Sequence, residues 1–220
     1  GAGPDQGAAL LVLPANTAEV AAVVAICHAH GVSIVPQGGQ TGLVGGCQSQ
    51  ADQVVLSLTR MAQIEAILPQ ERVAVVQAGV ALEVLQTAAA LHGLEPGIDL
   101  AARGTATIGG MVATNAGGIM AHRYGVMRHR GLGLEAGMPD GRIYSDMTRV
   151  VKNTAGYDLK HLFIGAEGTL GIVTRVVLKL EPVPRTTATV LLGLPSVAAA
   201  LEAISLAMAA RTGHLRAAEG

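Results

Sequence analysis

With 220 residues, a net charge of −1 and half its residues hydrophobic, the chain has apolar material for one large domain or two small ones, and no charge excess to draw it to nucleic acid or an anionic membrane surface. One phenylalanine, three tyrosines and no tryptophan are too few aromatics for a base-stacking platform. Two cysteines, Cys27 and Cys47, form neither a disulfide framework nor a CxxC motif, which points to a reducing, cytoplasmic setting. The amino-terminal residues lack the basic start and long apolar run of a signal peptide. Residues 8–14 (AALLVLP) read as a strand. A helix is expected to follow from Asn16, which with Glu19 resembles a capping box. Val20, Val23, Val24 and Cys27 recur at helical spacing, and Gly31 is a natural stop.

The run VSIV (32–35) predicts a short buried strand, and QVVLSL (53–58) another, so the chain opens as β-α-β-loop-β, a small parallel unit. Between these strands, residues 38–46 carry five glycines in nine positions. IEAIL (64–68) and RVAVVQA (72–78) predict two strands, and residues 81–93 a helix closed by Gly93. The segment GTATIGGMVATNAGG (104–118) lacks the periodic apolar spacing of a helix or a strand and reads as irregular. Residues 132–145 predict a hairpin turning at Pro139–Asp140–Gly141, and residues 163–180 end in a strong β run. Pro182 and Pro184 then mark a boundary. Beyond it, TVLLGL (189–194) predicts a strand and Ser196 begins a helix; Pro195 and Glu202 argue against reading this apolar stretch as a membrane span.

The first glycine loop fits neither of the two familiar phosphate-binding fingerprints. It has no lysine for a GxxxxGK[ST] loop and no GxGxxG spacing. Its physics still suits an anion, because successive amide N–H groups bared by small residues form a concave nest for phosphate oxygens. A ligand-free tight turn is the competing reading. Three further glycine clusters, at 109–110, 117–118 and 165–171, suggest a long ligand threaded past several backbone segments, for which a dinucleotide-sized cofactor is the natural candidate.

Taken in order, PQGGQTGLVGG (36–46), DLAARGTATIGGMVATNAGG (99–118), RYG (123–125) and NTAGYDLKHLFIGAEGTLGIVT (153–174) resemble the FAD-binding (PCMH-type) domain of the vanillyl-alcohol oxidase family. The branch they are most similar to is the FAD-linked 2-hydroxy acid dehydrogenases: the D-2-hydroxyglutarate dehydrogenase, D-lactate dehydrogenase and glycolate oxidase group. The resemblance runs from about Ala8 to about Pro184. It implies an α+β, two-lobed fold: a small parallel β-α-β lobe, a larger, mainly antiparallel sheet lobe with helices, and FAD between them. Residues 1–184 would form the FAD-binding domain and residues 185–220 the start of a truncated substrate or cap domain.

The resemblance also assigns residues. Pro36 and Gln37 would lead into Gly38, Gly39, Gln40, Thr41 and Gly42, whose amides would wrap the FAD pyrophosphate. Asp99 to Thr105 would line the cofactor near the ribityl chain and ring. Ile108, Gly109 and Gly110, with Thr114, Asn115 and Ala116, would pass close to the flavin or its diphosphate. Glu167, Gly168, Ile172 and Val173 would pack by the adenine half. The first loop has no histidine for covalent attachment, so FAD is expected to be non-covalent, with Cys47 just past the loop as the residue to watch.

The implied activity is oxidation of a small D-2-hydroxy acid to the 2-oxo acid by hydride transfer to flavin N5, with an electron acceptor the sequence does not reveal. Relatives of this type are about twice as long, so the catalytic base and a histidine-rich metal site would lie in a missing cap. No catalytic residue and no metal ligand is assigned here. His28, His30, His92, His122, His129, His161 and His214 show no metal spacing. The alternatives are a non-catalytic FAD-binding or assembly module acting only with a partner subunit, and an apo scaffold whose glycine loops are merely turns.

Overall fold

The computed structural model describes residues 7–210 and 215–218. His214 lies outside them. The chain begins with β1 (Leu10–Val12), α1 (Thr17–Ala29), β2 (Ile34–Gln37) and β3 (Val54–Ser57). These make a three-stranded sheet in the order β1-β3-β2, with both pairings parallel. Asn16 caps α1, its side chain accepting from the Glu19 N–H at 2.9 Å, and the Glu19 carboxylate accepts in return from the Ala15 N–H. The predicted strand at 32–35 forms two residues later and absorbs Pro36 and Gln37, so the glycine loop departs directly from the carboxyl end of β2.

The second lobe is built from β4 (Ile64–Leu68), β5 (Val73–Gln77), α2 (Leu82–Ala90), β6 (Leu94–Glu95), α3 (Ile108–Ala113), α4 (Ala121–Tyr124), α5 (Met127–Arg130), β7 (Gly131–Gly137), β8 (Ile143–Asp146), α6 (Lys160–Phe163), β9 (Ile172–Lys179) and β10 (Glu181–Pro182). Five of its strands form an antiparallel sheet in the order β4-β5-β9-β7-β8, and β6 pairs with β10. The main core lies where α2 and α3 pack on this sheet, around Leu82, Leu85, Ile108, Met127, Leu134 and Leu178. The architecture is the expected α+β one, with a small parallel sheet and a larger antiparallel one.

A second core joins the lobes: Val20 and Val24 of α1 pack with Leu56, Leu58, Met61, Ala78 and Ile172. A polar lock runs alongside. The Thr17 hydroxyl donates to the Glu135 carboxylate at 2.6 Å and lies 3.0 Å from the Thr174 hydroxyl, while Arg175 bridges Glu135 and Glu65.

Two expectations fail. Residues 108–113, read as irregular, form α3. The glycines that blank out its hydrophobic pattern are there for packing: a Cβ on Gly109 would come within 2.5 Å of the Ala78 Cβ, so the helix lies flush on β5. The strand predicted at 189–194 does not form. Val190, Leu191 and Leu192 are 73%, 98% and 60% exposed, because among the described residues no edge is placed to pair with that segment. The helix expected from Ser196 is present as α7 (Val197–Ala210), with Val197, Leu201 and Leu206 exposed. No helix among the described residues is long and apolar enough to cross a membrane.

Candidate cofactor-binding site

The glycine loop springs from β2 and is tied shut at its base. Gln37, 4% exposed, donates from Nε2 to the Cys47 carbonyl at 2.8 Å and accepts from Gln40 Nε2 at 2.7 Å. One side chain thus holds the entry, middle and exit of the loop together. Inside this staple, no backbone N–H group from Gly38 through Gly46 donates a hydrogen bond to a protein acceptor among the described residues. Gln40 sits at φ 53°, a left-handed turn residue of the kind that rotates neighbouring N–H groups toward one side. A row of unpaired donors is costly unless water or a ligand takes their bonds.

Two neighbouring segments close over the loop. A Cβ on Gly39 would overlap the Thr105 carbonyl, and one on Gly38 would overlap the Thr107 hydroxyl, so the first loop lies directly against the segment leading into α3. On the other side, a Cβ on Gly168 would come within 2.6 Å of Pro36 Cγ, and Glu167 Oε2 lies beside Gly46. Gly42 is different: a Cβ there meets nothing within 4 Å. Three of the predicted segments therefore converge at the carboxyl end of β2, where ligands of parallel sheets typically bind.

The other predicted residues have defined structural partners. The Asp99 carboxylate pairs with Arg103 at 3.1 Å and accepts from Gln86 Nε2 at 3.1 Å. The amides of Ile108 and Gly109 donate to the Val80 and Ala78 carbonyls, and the Gly110 amide to the Thr107 hydroxyl that caps α3. These three amides are committed inside the protein, so any contact they make to a ligand is through packing and not through donation. Thr114 returns its hydroxyl to the Gly110 carbonyl, and the Ala116 carbonyl accepts from the Met127 N–H. Asn115, at φ 50°, takes the left-handed turn that ends α3, and its Oδ1 accepts from the Arg128 N–H at 2.9 Å. Ile172 and Val173 are buried core residues. Ile172 also lines a cleft of about 170 Å³ between the lobes, with Cys27, Ile34, Pro36 and Gly168.

Sequence reasoning missed the Gln37–Cys47 staple and the partners of Arg128, because neither leaves a local pattern. It also missed Thr107, for which the signal was present: a threonine three residues before Gly110, at the start of an apolar run. Burial pushes both thiols up, so neither Cys27 nor Cys47 is primed as a thiolate for covalent attachment. Asp158 pairs with Lys160, and Arg123 lies 4.8 Å above the Tyr124 ring, a structural use of both pairs.

Comparison with known proteins places these observations in context. Residues 8–146 match the family model described as FAD binding domain. The chain is 42% identical over 193 residues to D-2-hydroxyglutarate dehydrogenase, mitochondrial, of Bos taurus, covering 88% of this chain and 36% of that protein. It is 41% identical over 177 residues to D-lactate dehydrogenase of Archaeoglobus fulgidus, covering 79% of this chain and 39% of that protein. Among solved structures, alkyldihydroxyacetonephosphate synthase superposes with a TM-score of 0.71 at 29% identity, covering 80% of this chain and 32% of that one. The chain thus spans well under half the length of each of these relatives.

Proposed function

The chain belongs to the FAD binding domain family, and on that premise we propose that residues 36–46, 99–116 and 167–173 form its FAD site, in a flavin-dependent oxidoreductase acting on a small D-2-hydroxy acid. The observation that carries the site is the run of amides from Gly38 to Gly46 that donate to no protein acceptor among the described residues, beside a glycine, Gly42, with open space where a side chain would stand.

Donors of this kind suit the pyrophosphate, which needs hydrogen bonds more than it needs a cation when few basic groups are near. Gln37 would keep the loop in shape, and the Thr105 and Thr107 segment would back it. The Glu167 carboxylate, beside Gly46, would repel phosphate but accept from hydroxyl donors, which fits the ribose side of the cofactor. Ile172 and the apolar cleft at Pro36 and Gly168 would take the adenine ring. Asp99, Asn115 and Ala116 would lie toward the flavin end. When bound, FAD would supply the acceptor for the hydride leaving the substrate carbon. Attachment is non-covalent in this reading, consistent with the raised thiols. The domain would end near Pro184, with residues 185–220 opening the next one.

The substrate class is proposed from the names of the two dehydrogenases, each of which this chain covers by less than two fifths. Two free thiols suit a reducing compartment such as the cytoplasm; the bovine relative's name places that protein in mitochondria. The test is anaerobic mixing of D- and L-2-hydroxy acids with flavin-loaded protein carrying these residues and the remaining length of its relatives. Bleaching of the flavin absorbance by D acids alone is the expected result; no bleaching, or equal bleaching by L acids, contradicts the substrate reading.

A further inference from the structure

Arg128, on the short helix α5, makes three bonds, one to a segment of the proposed site and two to the helix end that leads into another. Its backbone N–H donates to Asn115 Oδ1 at 2.9 Å. Its guanidinium donates from Nη1 to the His161 carbonyl at 2.7 Å and from Nη2 to the Ile164 carbonyl. These carbonyls lie at the end of α6, where the last helical C=O groups have no partner of their own and a planar, two-pronged cation fits them well. Immediately after Ile164 the chain turns through Gly165, at φ 86°. A Cβ there would lie 3.3 Å from Arg128 Nη2 and 3.4 Å from Asn115 Cβ.

The two segments so joined are the turn that ends α3 and the loop that runs on to Glu167 and Gly168. Backbone bonds reinforce the joint: Gly165 N–H to the Val112 carbonyl, Glu167 N–H to the Ala113 carbonyl, and Met127 N–H to the Ala116 carbonyl, beside apolar packing of Val112, Met127, Phe163 and Ile164. Each terminal nitrogen of the guanidinium donates to one of these carbonyls, which fixes the orientation of the group.

We propose that Arg128 is a positioning residue for FAD: by holding the Asn115 turn against the Ile164–Gly168 loop, it sets the spacing between the flavin end and the adenine end of the site. The inference rests on the FAD reading above. Binding that requires two backbone segments at fixed separation loses affinity when that separation must be restored on binding.

Arg130 provides the control. It lies on the same helix, is 3% exposed, and pairs with Glu181 at 2.8 Å and with the Lys179 carbonyl, away from both loops. FAD is titrated into the parent chain, Arg128→Met, Arg128→Lys and Arg130→Met, following flavin fluorescence, with melting temperatures of the apo proteins measured in parallel. Arg128→Met is expected to weaken FAD by about tenfold or more. Arg128→Lys, which reaches one carbonyl but not both, is expected to fall between. Arg130→Met is expected to lower the apo melting temperature yet keep the parent's FAD affinity within about twofold, because it breaks a buried ion pair elsewhere. Hydrogen exchange should quicken at the Gly165 and Glu167 amides in Arg128→Met without FAD present. Parent-like affinity in both Arg128 variants overturns the proposal, as does an Arg130→Met loss of affinity equal to that of Arg128→Met. If the parent itself binds no FAD, the cofactor reading falls and this inference falls with it.

Discussion

Gly39 and Gly42 stand three residues apart in one loop, and the same substitution at each has different consequences. At Gly39 a side chain collides with the Thr105 carbonyl, so Gly39→Val should cost about 1–3 kcal/mol whether or not FAD is present. Thermal melts of the apo protein check this. At Gly42 there is room for the side chain in the protein alone. Glycine density was legible in the sequence, but it could not separate a glycine kept for protein packing from one kept for a ligand; that needs the neighbours. His161 carries a pH prediction at the same scale. Burial holds its imidazole below the ordinary 6.5; Asp158 pulls upward, and Lys160 and Arg128 push further down. The unfolded chain therefore takes up its proton first as pH falls. The contribution of His161 is complete above 6.5 and is lost as pH drops from there toward the lower folded value. The melting temperature of the parent should fall more steeply below pH 6.5 than that of His161→Gln; parallel curves contradict it.

At the scale of elements, α1 was readable almost entirely, because its cap, its apolar spacing and its glycine stop are all local signals. The short α3 was not. Its buried face includes Gly109, which contributes closeness to Ala78 and no hydrophobic surface. The absent strand at 189–194 failed for the opposite reason: its apolar pattern is real, but a strand is a property of a pair, and the partner is not in the described chain. Between α1 and the large sheet, the Thr17–Glu135–Thr174 contacts pin the two lobes. Thr17→Val keeps the shape of the side chain and removes a bond to a carboxylate, so it should cost about 1–3 kcal/mol. The urea midpoint should fall with an unchanged slope; an unmoved midpoint means the lock contributes nothing.

Across the whole molecule, the order of strands reflects two kinds of chain path. The parallel sheet needs α1 as a crossover, which the sequence shows as β-α-β. The antiparallel sheet brings β5 and β9 together from about a hundred residues apart, a pairing no local pattern announces. The candidate site depends on exactly such long-range meetings: Gly39 with Thr105, Pro36 with Gly168, Asn115 with Arg128. Family resemblance supplied the segments of Pro36, Gly39, Thr105, Asn115 and Gly168 as a set but not Arg128, while the residues alone supplied only four glycine-rich stretches. The measurement that bears most directly on the site is FAD titration into the parent chain and Gly42→Val, with apo melting temperatures taken alongside. The account predicts that the parent binds flavin and that Gly42→Val melts within about 2 °C of it, yet loses affinity by about tenfold or more, as a branched side chain displaces the diphosphate from the amides. Equal affinity in the two proteins would contradict it.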